Sequence, residues 1–229
     1  MKPSLRILIT TDSTGDLWQY GLDLARGLSR LGHETVLALT GQAATSEQIG
    51  AAAAIPGLRL ADAGLANEGV AETEASMARA ARAIAALADE TECDIVQLNS
   101  PALAALADFG RPVVAVLHGC IASRWEAVEG TKLPARFEWR TELVARGLRS
   151  AGALVAPTAA FGASVARHYC LESAPSTVHY GRSPVAVPNG VPHDFVFTSG
   201  RLWDEDKNFG MLDAAAGRIG VPVRAAGPL

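Results

Sequence analysis

The residues with the strongest chemical potential lie near the carboxyl end of this 229-residue chain, in Gly200-Arg201-Leu202-Trp203-Asp204-Glu205-Asp206-Lys207-Asn208. The apolar run Phe195-Val196-Phe197 before them reads as a buried strand, and Phe209 to Ala216 after them reads as a helix. A glycine and a guanidinium therefore stand where a strand ends, and an ammonium stands where a helix begins. In an open α/β sheet, ligands bind beyond the carboxyl ends of the strands. A helix N-terminus with free N–H groups favours anions, and Arg201 and Lys207 add two fixed cations. The physical reading is a clamp for a diphosphate. The alternative is a surface loop of mixed charge, because Asp204, Glu205 and Asp206 lie between the two cations. A second candidate is His118. It ends the apolar run Val113-Val114-Ala115-Val116-Leu117, the clearest parallel strand in the chain, and Gly119 follows it. A lone histidine is commonly structural, but one at a strand's carboxyl end faces the place where ligands bind.

The elements that would carry these residues follow an alternating β/α pattern. Leu5 to Thr10 reads as a first strand, Thr11 to Asp16 as a polar turn, and Leu17 to Leu31 as an amphipathic helix with Leu17, Leu24, Leu28 and Leu31 on one face. Gly32 stops that helix, and Glu34 to Leu39 supplies the next strand. Asp16 reads as the N-cap of the first helix. This opening is Rossmann-like but lacks G-x-G-x-x-G, which disfavours NAD or FAD. Further helices are expected over Ala43 to Ala54, Val70 to Asp89, Pro134 to Ser150 and Ala159 to Tyr169, the last capped by Thr158. Further strands are expected over Leu58 to Leu60, Asp94 to Asn99, Ala153 to Thr158 and Val221 to Ala226. Ile121 to Leu133, with Ser123, Arg124, Trp125 and Glu126, reads as a loop whose mixed aromatic and polar side chains suit sugar recognition or simple surface packing.

Composition narrows the class. At 49% hydrophobic residues the chain is globular rather than disordered. A net charge of -4 gives no general attraction to nucleic acid or acidic lipid, and leaves only peripheral membrane contact open. Three cysteines, Cys93, Cys120 and Cys170, are too few and too scattered for a disulfide framework and fit a reducing, cytoplasmic setting. No histidine–cysteine spacing makes a metal signature, no signal peptide opens the chain, and no apolar stretch is long enough to span a bilayer.

Gly-Arg-Leu-Trp-Asp-x-x-Lys-Asn at Gly200–Asn208 resembles the donor-binding loop of retaining GT-B glycosyltransferases of family 4. The resemblance extends through most of the chain. Asp12 to Tyr20 is similar to the family's N-terminal loop, with Gly15 kept and Asp16 in place of a second glycine. Asp94 to Asn99 is similar to its Asp-x-Val-His-Leu-Asn strand, with Gln97 in the histidine's place. Cys120 and Trp125 survive from its His-Ser-Cys-x-x-Ser-Trp-Trp turn, and Thr177 to Arg182 resembles its interdomain Val-Ile-x-Asn-Gly-Arg with Tyr180 replacing Asn.

The resemblance implies a GT-B α/β fold: a Rossmann-like, parallel-sheet N-terminal acceptor domain over residues 1–180, a linker over 181–194, and the start of a second Rossmann-like donor domain over 195–229. The family's second domain continues for several more β/α units, so the chain looks truncated. The implied activity is transfer of a sugar from a nucleoside-diphosphate sugar to a sugar or other hydroxyl acceptor, with retention and without a metal or other cofactor. Arg201 and Lys207 would stabilise the departing diphosphate, His118 would hydrogen-bond donor or acceptor, Gly15, Gly200 and Asn208 would join the donor site, and Asn99 and Trp125 the acceptor site. Two other readings stand beside it: a non-catalytic sugar- or nucleotide-binding module, and a GT-B-fold sugar-nucleotide epimerase.

Overall fold

The computed structural model describes residues 3–65, 73–182, 184, 194–204 and 207–227. It separates into two compact units, Met1–Ser183 and Pro184–Leu229. Along the first run β1 (Arg6–Asp12), α1 (Asp16–Arg30), β2 (Glu34–Thr40), α2 (Ser46–Ala53), β3 (Leu58–Leu65), α3 (Glu74–Glu90) and β4 (Ile95–Leu98). A 3-10 turn at Pro101–Ala105 leads to β5 (Val113–Val116) and α4 (Ile121–Glu129). A second 3-10 turn at Ala135–Phe137 opens α5 (Glu138–Ser150), followed by β6 (Ala153–Ala156), α6 (Ala159–Tyr169) and β7 (Ser176–Thr177). The second unit holds β8 (Val196–Ser199), α7 (Phe209–Ala216) and β9 (Val223–Ala226).

Among the described residues, the strands of the first unit form one sheet in the order β3-β2-β1-β4-β5-β6-β7. Every pair is parallel. The chain winds outward from β1 to β3, then resumes on β1's other side at β4. Such a reversal of strand order opens a crevice at the carboxyl ends of the two central strands.

The apolar runs that form these strands are buried on both faces, as parallel sheets require. Ile7, Ile9, Leu37 and Leu39 pack with Trp18, Leu22 and Ala25 of α1 on one face. Leu8, Val36, Ala38, Val96 and Leu98 pack with Met77, Ala80, Ala81 and Ile84 of α3 on the other. Leu8, Ile9, Leu37 and Leu39 are at most 1% exposed, and each contributes roughly 2 kcal/mol of apolar burial. This Rossmann-like, doubly wound α/β architecture is the fold class expected from the sequence.

Several element boundaries differ from the sequence reading, each for a local reason. Gly15, not Asp16, takes the N-cap of α1, with φ 74° and no side-chain cap; Asp16 is the first helical residue. The turn before it is held instead by Asp12, whose Oδ1 accepts from the Thr14 amide at 2.8 Å and hydroxyl at 2.7 Å, an Asx-type turn. The buried face of α1 is Trp18, Gly21, Leu22 and Ala25, while Leu31 is 74% exposed. The alanine-rich helix begins at Ser46 rather than Ala43, because Thr45 and Gln48 form a capping box.

Helix α3 begins at Glu74 under a Thr73 cap; the earlier part of the expected helix, from Val70, lies outside the described residues. β3 runs to Leu65 rather than stopping at Leu60. Most of Ile121 to Leu133 is helix rather than loop: Cys120 Sγ caps α4 from the Ser123 amide, and Gly130 at φ 61° ends it. α5 starts at Glu138 rather than Pro134. Thr158 caps α6 as expected, accepting from Phe161 N at 3.1 Å. The linker expected at 181–194 falls largely on 183 and 185–193, outside the described residues.

α5 makes an unusually close approach to the 3-10 turn. A Cβ on Gly147 would lie 1.8 Å from the Pro101 carbonyl oxygen, so only glycine fits there. That contact fixes the loop after β4, which forms one wall of the crevice.

The second unit is small. β8 and β9 pair in parallel from Val196↔Val223 to Ser199↔Ala226. None of its described residues is buried. A Cβ on Gly227 would lie 1.7 Å from the Gly200 carbonyl oxygen, and Gly200 N donates to Ala226 O at 3.0 Å. The two strands thus converge at their carboxyl ends, directly before Arg201.

Candidate functional site

His118 is placed by strand pairing that continues past β5. Leu117 N donates to Val155 O at 2.9 Å, so the backbone stays on the sheet until the residue before the imidazole. Tyr180 is placed in the same way beyond β7: Val178 N donates to Ala156 O at 2.9 Å, and His179 Nδ1 donates to Pro157 O at 2.8 Å. The two side chains meet. His118 Nδ1 lies 2.7 Å from the Tyr180 hydroxyl, and their rings stack with centroids 5.7 Å apart and planes 14° from parallel. Tyr20 of α1 packs edge-on against His118 at 4.6 Å and against Tyr180 at 5.5 Å.

Beneath this cluster, β4 is braced to β1. Asn99 N donates to Thr10 Oγ1 at 2.9 Å, and Asn99 Nδ2 donates to Thr10 O at 2.6 Å. Gln97 Nε2 donates to Asn99 Oδ1 at 3.1 Å and to the Tyr20 hydroxyl at 3.2 Å. The glutamine that replaces the family's histidine thus links the strand to the aromatic cluster.

Among the described residues, two chambers adjoin His118. One, of about 320 Å³, is lined by Asp16, Leu17, Tyr20, Asp23, His118, Tyr180, Gly181 and Arg182. Asp16, Tyr20 and Asp23 share a face of α1 through helical spacing. Asp23 accepts from Gln19 at 3.0 Å and pairs with Arg26 at 3.0 Å and Arg182 at 3.3 Å. Burial works against its charge, but the hydrogen bonds from Gln19 and Arg182 and the charges of Arg26 and Arg182 prevail and lower its pKa. The other chamber, of about 310 Å³, is lined chiefly by Leu17, Pro101, Leu117, Ile121, Val144 and Tyr169, with Asn99, His118, Cys120 and Arg140.

Burial sets the electrostatics. It pushes the His118 imidazole down to about 4, so the ring is neutral at physiological pH. Burial also raises the Tyr20 hydroxyl, against the hydrogen bond from Gln97. It raises Tyr180 as well, aided by Tyr20 and by the charge of Asp16. With Nδ1 engaged by Tyr180, His118 Nε2 is buried without a hydrogen-bond partner. An unpaired buried polar atom costs roughly 1–3 kcal/mol.

A cavity of about 410 Å³ lies elsewhere, between Arg6, Glu34, Arg59 and Glu90 at the amino ends of the strands. Its charges pair internally, Arg6 with Glu34 and Arg59 with Glu90. It is on the wrong end of a doubly wound sheet for a ligand, so size alone does not make it the site.

Of the residues selected from sequence, Asn99 and His118 line one chamber together. Gly15 immediately precedes the chamber-lining Asp16 and Leu17, and its φ of 74° accounts for the glycine. Trp125 lines neither chamber; its indole donates to Thr131 Oγ1 at 3.1 Å and its ring packs against Phe137.

Gly200, Arg201, Lys207 and Asn208 belong to the second unit. There Arg201 bonds Asp204 through Nε at 3.0 Å and Nη2 at 2.5 Å, and stands 5.6 Å from the Trp203 ring centroid. The Lys207 stem passes Gly200, and Asn208 takes φ 48° to open α7. Glu205 and Asp206 lie outside the described residues. Sequence reasoning missed Tyr20, Asp23, Arg140 and Arg182 and gave Gln97 and Tyr180 no site role. The family-like stretches Asp12 to Tyr20 and Asp94 to Asn99 and the Tyr-Gly-Arg string at 180–182 carried a signal for Tyr20, Gln97, Tyr180 and Arg182. Among the described residues no group of His, Cys, Asp or Glu is arranged to hold a metal, and no helix is long and apolar enough to cross a membrane.

Known structures share this fold at low identity. A glycosyltransferase from Rickettsia africae matches with a TM-score of 0.62 at 13% identity, over 97% of this chain and 59% of its own. UGT89C1 of Arabidopsis thaliana, solved with quercetin, matches with a TM-score of 0.63 at 14% identity, over 98% of this chain and 65% of its own. A UDP-glucosyltransferase from Polygonum tinctorium matches with a TM-score of 0.58 at 12% identity, over 99% and 66%. The chain thus spans about three fifths to two thirds of the length of these proteins. No curated protein sequence matches it. The model of Glycosyltransferase Family 4 matches residues 18–195, well over half of the chain and the crevice residues from Tyr20 to Arg182, and the chain belongs to that family.

Proposed function

We propose that this chain moves a sugar from a nucleoside-diphosphate sugar to an acceptor hydroxyl, with retention of anomeric configuration and without a metal. The observation that carries this reading is the neutral His118 at the crevice where the strand order reverses, with one ring nitrogen fixed by Tyr180 and the other unpaired. A base with a pKa near 4 is poorly matched to proton abstraction at neutral pH. His118 therefore acts by hydrogen bonding, orienting a hydroxyl of the acceptor or the transferred sugar. Asn99 holds the loop that faces it.

The difficult step is departure of the diphosphate from an oxocarbenium-like centre. Arg201, Lys207 and the N-terminus of α7 supply preorganised positive charge for the diphosphate that leaves. In this reading the Arg201–Asp204 pair keeps the guanidinium at the strand end until a diphosphate replaces the carboxylate. Two fixed cations of this kind make a metal unnecessary.

The test is transfer from UDP-, GDP- and ADP-sugars, with the anomeric configuration of the product read by proton NMR. Retention that survives EDTA, and that Arg201→Ala lowers at least tenfold, is expected. Nucleotide binding with no transfer to any acceptor would favour a non-catalytic binding module. An altered nucleotide sugar formed without acceptor would favour an epimerase.

A further inference from the structure

The two chambers beside His118 differ in chemistry. The chamber toward Tyr180 offers Asp16, Asp23, Arg182 and two phenol hydroxyls. The other has walls of Leu17, Leu117, Ile121, Val144 and Tyr169, with Arg140 also in its lining, its guanidinium 5.2 Å from the Trp139 ring centroid. The Asn99 amide gives its N–H to Thr10 and its oxygen to Gln97. Cys120 Sγ caps α4 and lies 3.5 Å from the Tyr169 hydroxyl. A sugar placed there would bury several hydroxyls, and each left unpaired costs roughly 1–3 kcal/mol.

Among the buried side-chain polar atoms described in this lining, His118 Nε2 is without a hydrogen-bond partner. With Nδ1 held by Tyr180, Nε2 lies on a different edge of the ring, and Tyr180 lines only the first chamber. About 310 Å³ is the space of on the order of ten water molecules.

We propose that the second chamber receives an acceptor with a compact apolar or aromatic body, whose hydroxyl is presented to His118. The proposal rests on the transferase reading for the word acceptor, but the binding it requires does not. An apolar body displaces water from apolar walls, and a hydroxyl at the junction satisfies the unpaired nitrogen. Apolar walls with a few placed polar groups are the usual character of a small-molecule site.

The experiment titrates 2-naphthol, naphthalene and methyl glucoside into the full chain, without nucleotide, while following the methyl resonances of Leu17, Ile121 and Val144. Expected are shifts at those methyls with 2-naphthol, binding about fivefold weaker for naphthalene, and no shift with methyl glucoside. Ile121→Trp should fill the chamber and abolish the response. Should that variant fail to fold, the methyl shifts of the unmodified chain still decide. Methyl glucoside acting where 2-naphthol does not, or no ligand perturbing these methyls, overturns the proposal. Equal affinity for naphthalene and 2-naphthol overturns the part assigned to His118. Naphthol binding without any transfer activity would sink the transferase reading alone; transfer to sugars without naphthol binding would sink this inference alone.

Discussion

His118 binds a proton less readily when folded than when unfolded, which makes stability depend on pH in a calculable way. Its ordinary value is 6.5 and burial lowers it to about 4. Between those values the unfolded chain holds more protons than the folded one, so folding stability falls as pH falls from near 6.5 toward 4. The whole shift corresponds to about 3 kcal/mol, of which about 2 kcal/mol falls between pH 7 and pH 5. That is a large part of the roughly 5–15 kcal/mol that holds a domain folded. The perturbation is His118→Gln, which keeps a polar group at the position and removes the titration. Urea unfolding of both proteins at pH 7 and pH 5 isolates the histidine, because other groups, Asp23 included, titrate in each. The wild type should lose about 2 kcal/mol more than the variant over this interval. Equal losses would refute the reasoning, as would a His118 ring resonance that titrates near 6.5.

Two further substitutions probe the frame and the clamp. Gly147→Ala gains about 1 kcal/mol of helix propensity, but its Cβ would lie 1.8 Å from the Pro101 carbonyl oxygen. A net loss of about 1–2 kcal/mol is expected, read as a fall of several degrees in Tm, and a rise would contradict the close approach of α5 to the 3-10 turn. Asp204→Asn removes the carboxylate that engages Arg201, and should tighten UDP binding about fivefold in calorimetry with little change in stability. Weaker UDP binding would mean that Asp204 positions Arg201 rather than competing for it.

The sheet was legible because parallel strands buried on both faces appear as apolar runs, and Val113 to Leu117 is such a run. Of the helix caps, Thr158 was legible, whereas the Thr45–Gln48 capping box was passed over and the helix it opens was expected to begin at Ala43. Ile121 to Glu129 misled because Trp125 and Arg124 drew attention as recognition groups, whereas the Cys120 cap and the Gly130 stop were the informative residues. His118 could be singled out because its strand announces its own end. Tyr180 could not, because β7 is only two residues long and has no apolar run to mark where a sheet ends. Tyr20 and Gln97 become site residues only through tertiary contact, on elements far apart in sequence.

Two buried side-chain polar atoms among the described residues lack a partner, His118 Nε2 and Thr35 Oγ1. Thr35 lies near the amino end of β2, beside a cavity whose arginines and glutamates already neutralise one another. His118 lies at the carboxyl end of β5, bonded through Nδ1 to Tyr180 and packed against Tyr20, which Gln97 ties to Asn99 and Thr10, and its Nε2 is left over. The first orphan belongs to a site with no charge to offer and the wrong topology for a ligand. The second is held in place by one hydrogen bond with Tyr180 and by ring contacts with Tyr180 and Tyr20. A neutral ring costs less to leave unpaired than a charged one, so the same burial that keeps His118 uncharged makes its open hydrogen bond affordable in the absence of substrate. Loss of that neutrality would carry a proton into an apolar chamber, which is why acid should disturb ligand binding and folding together.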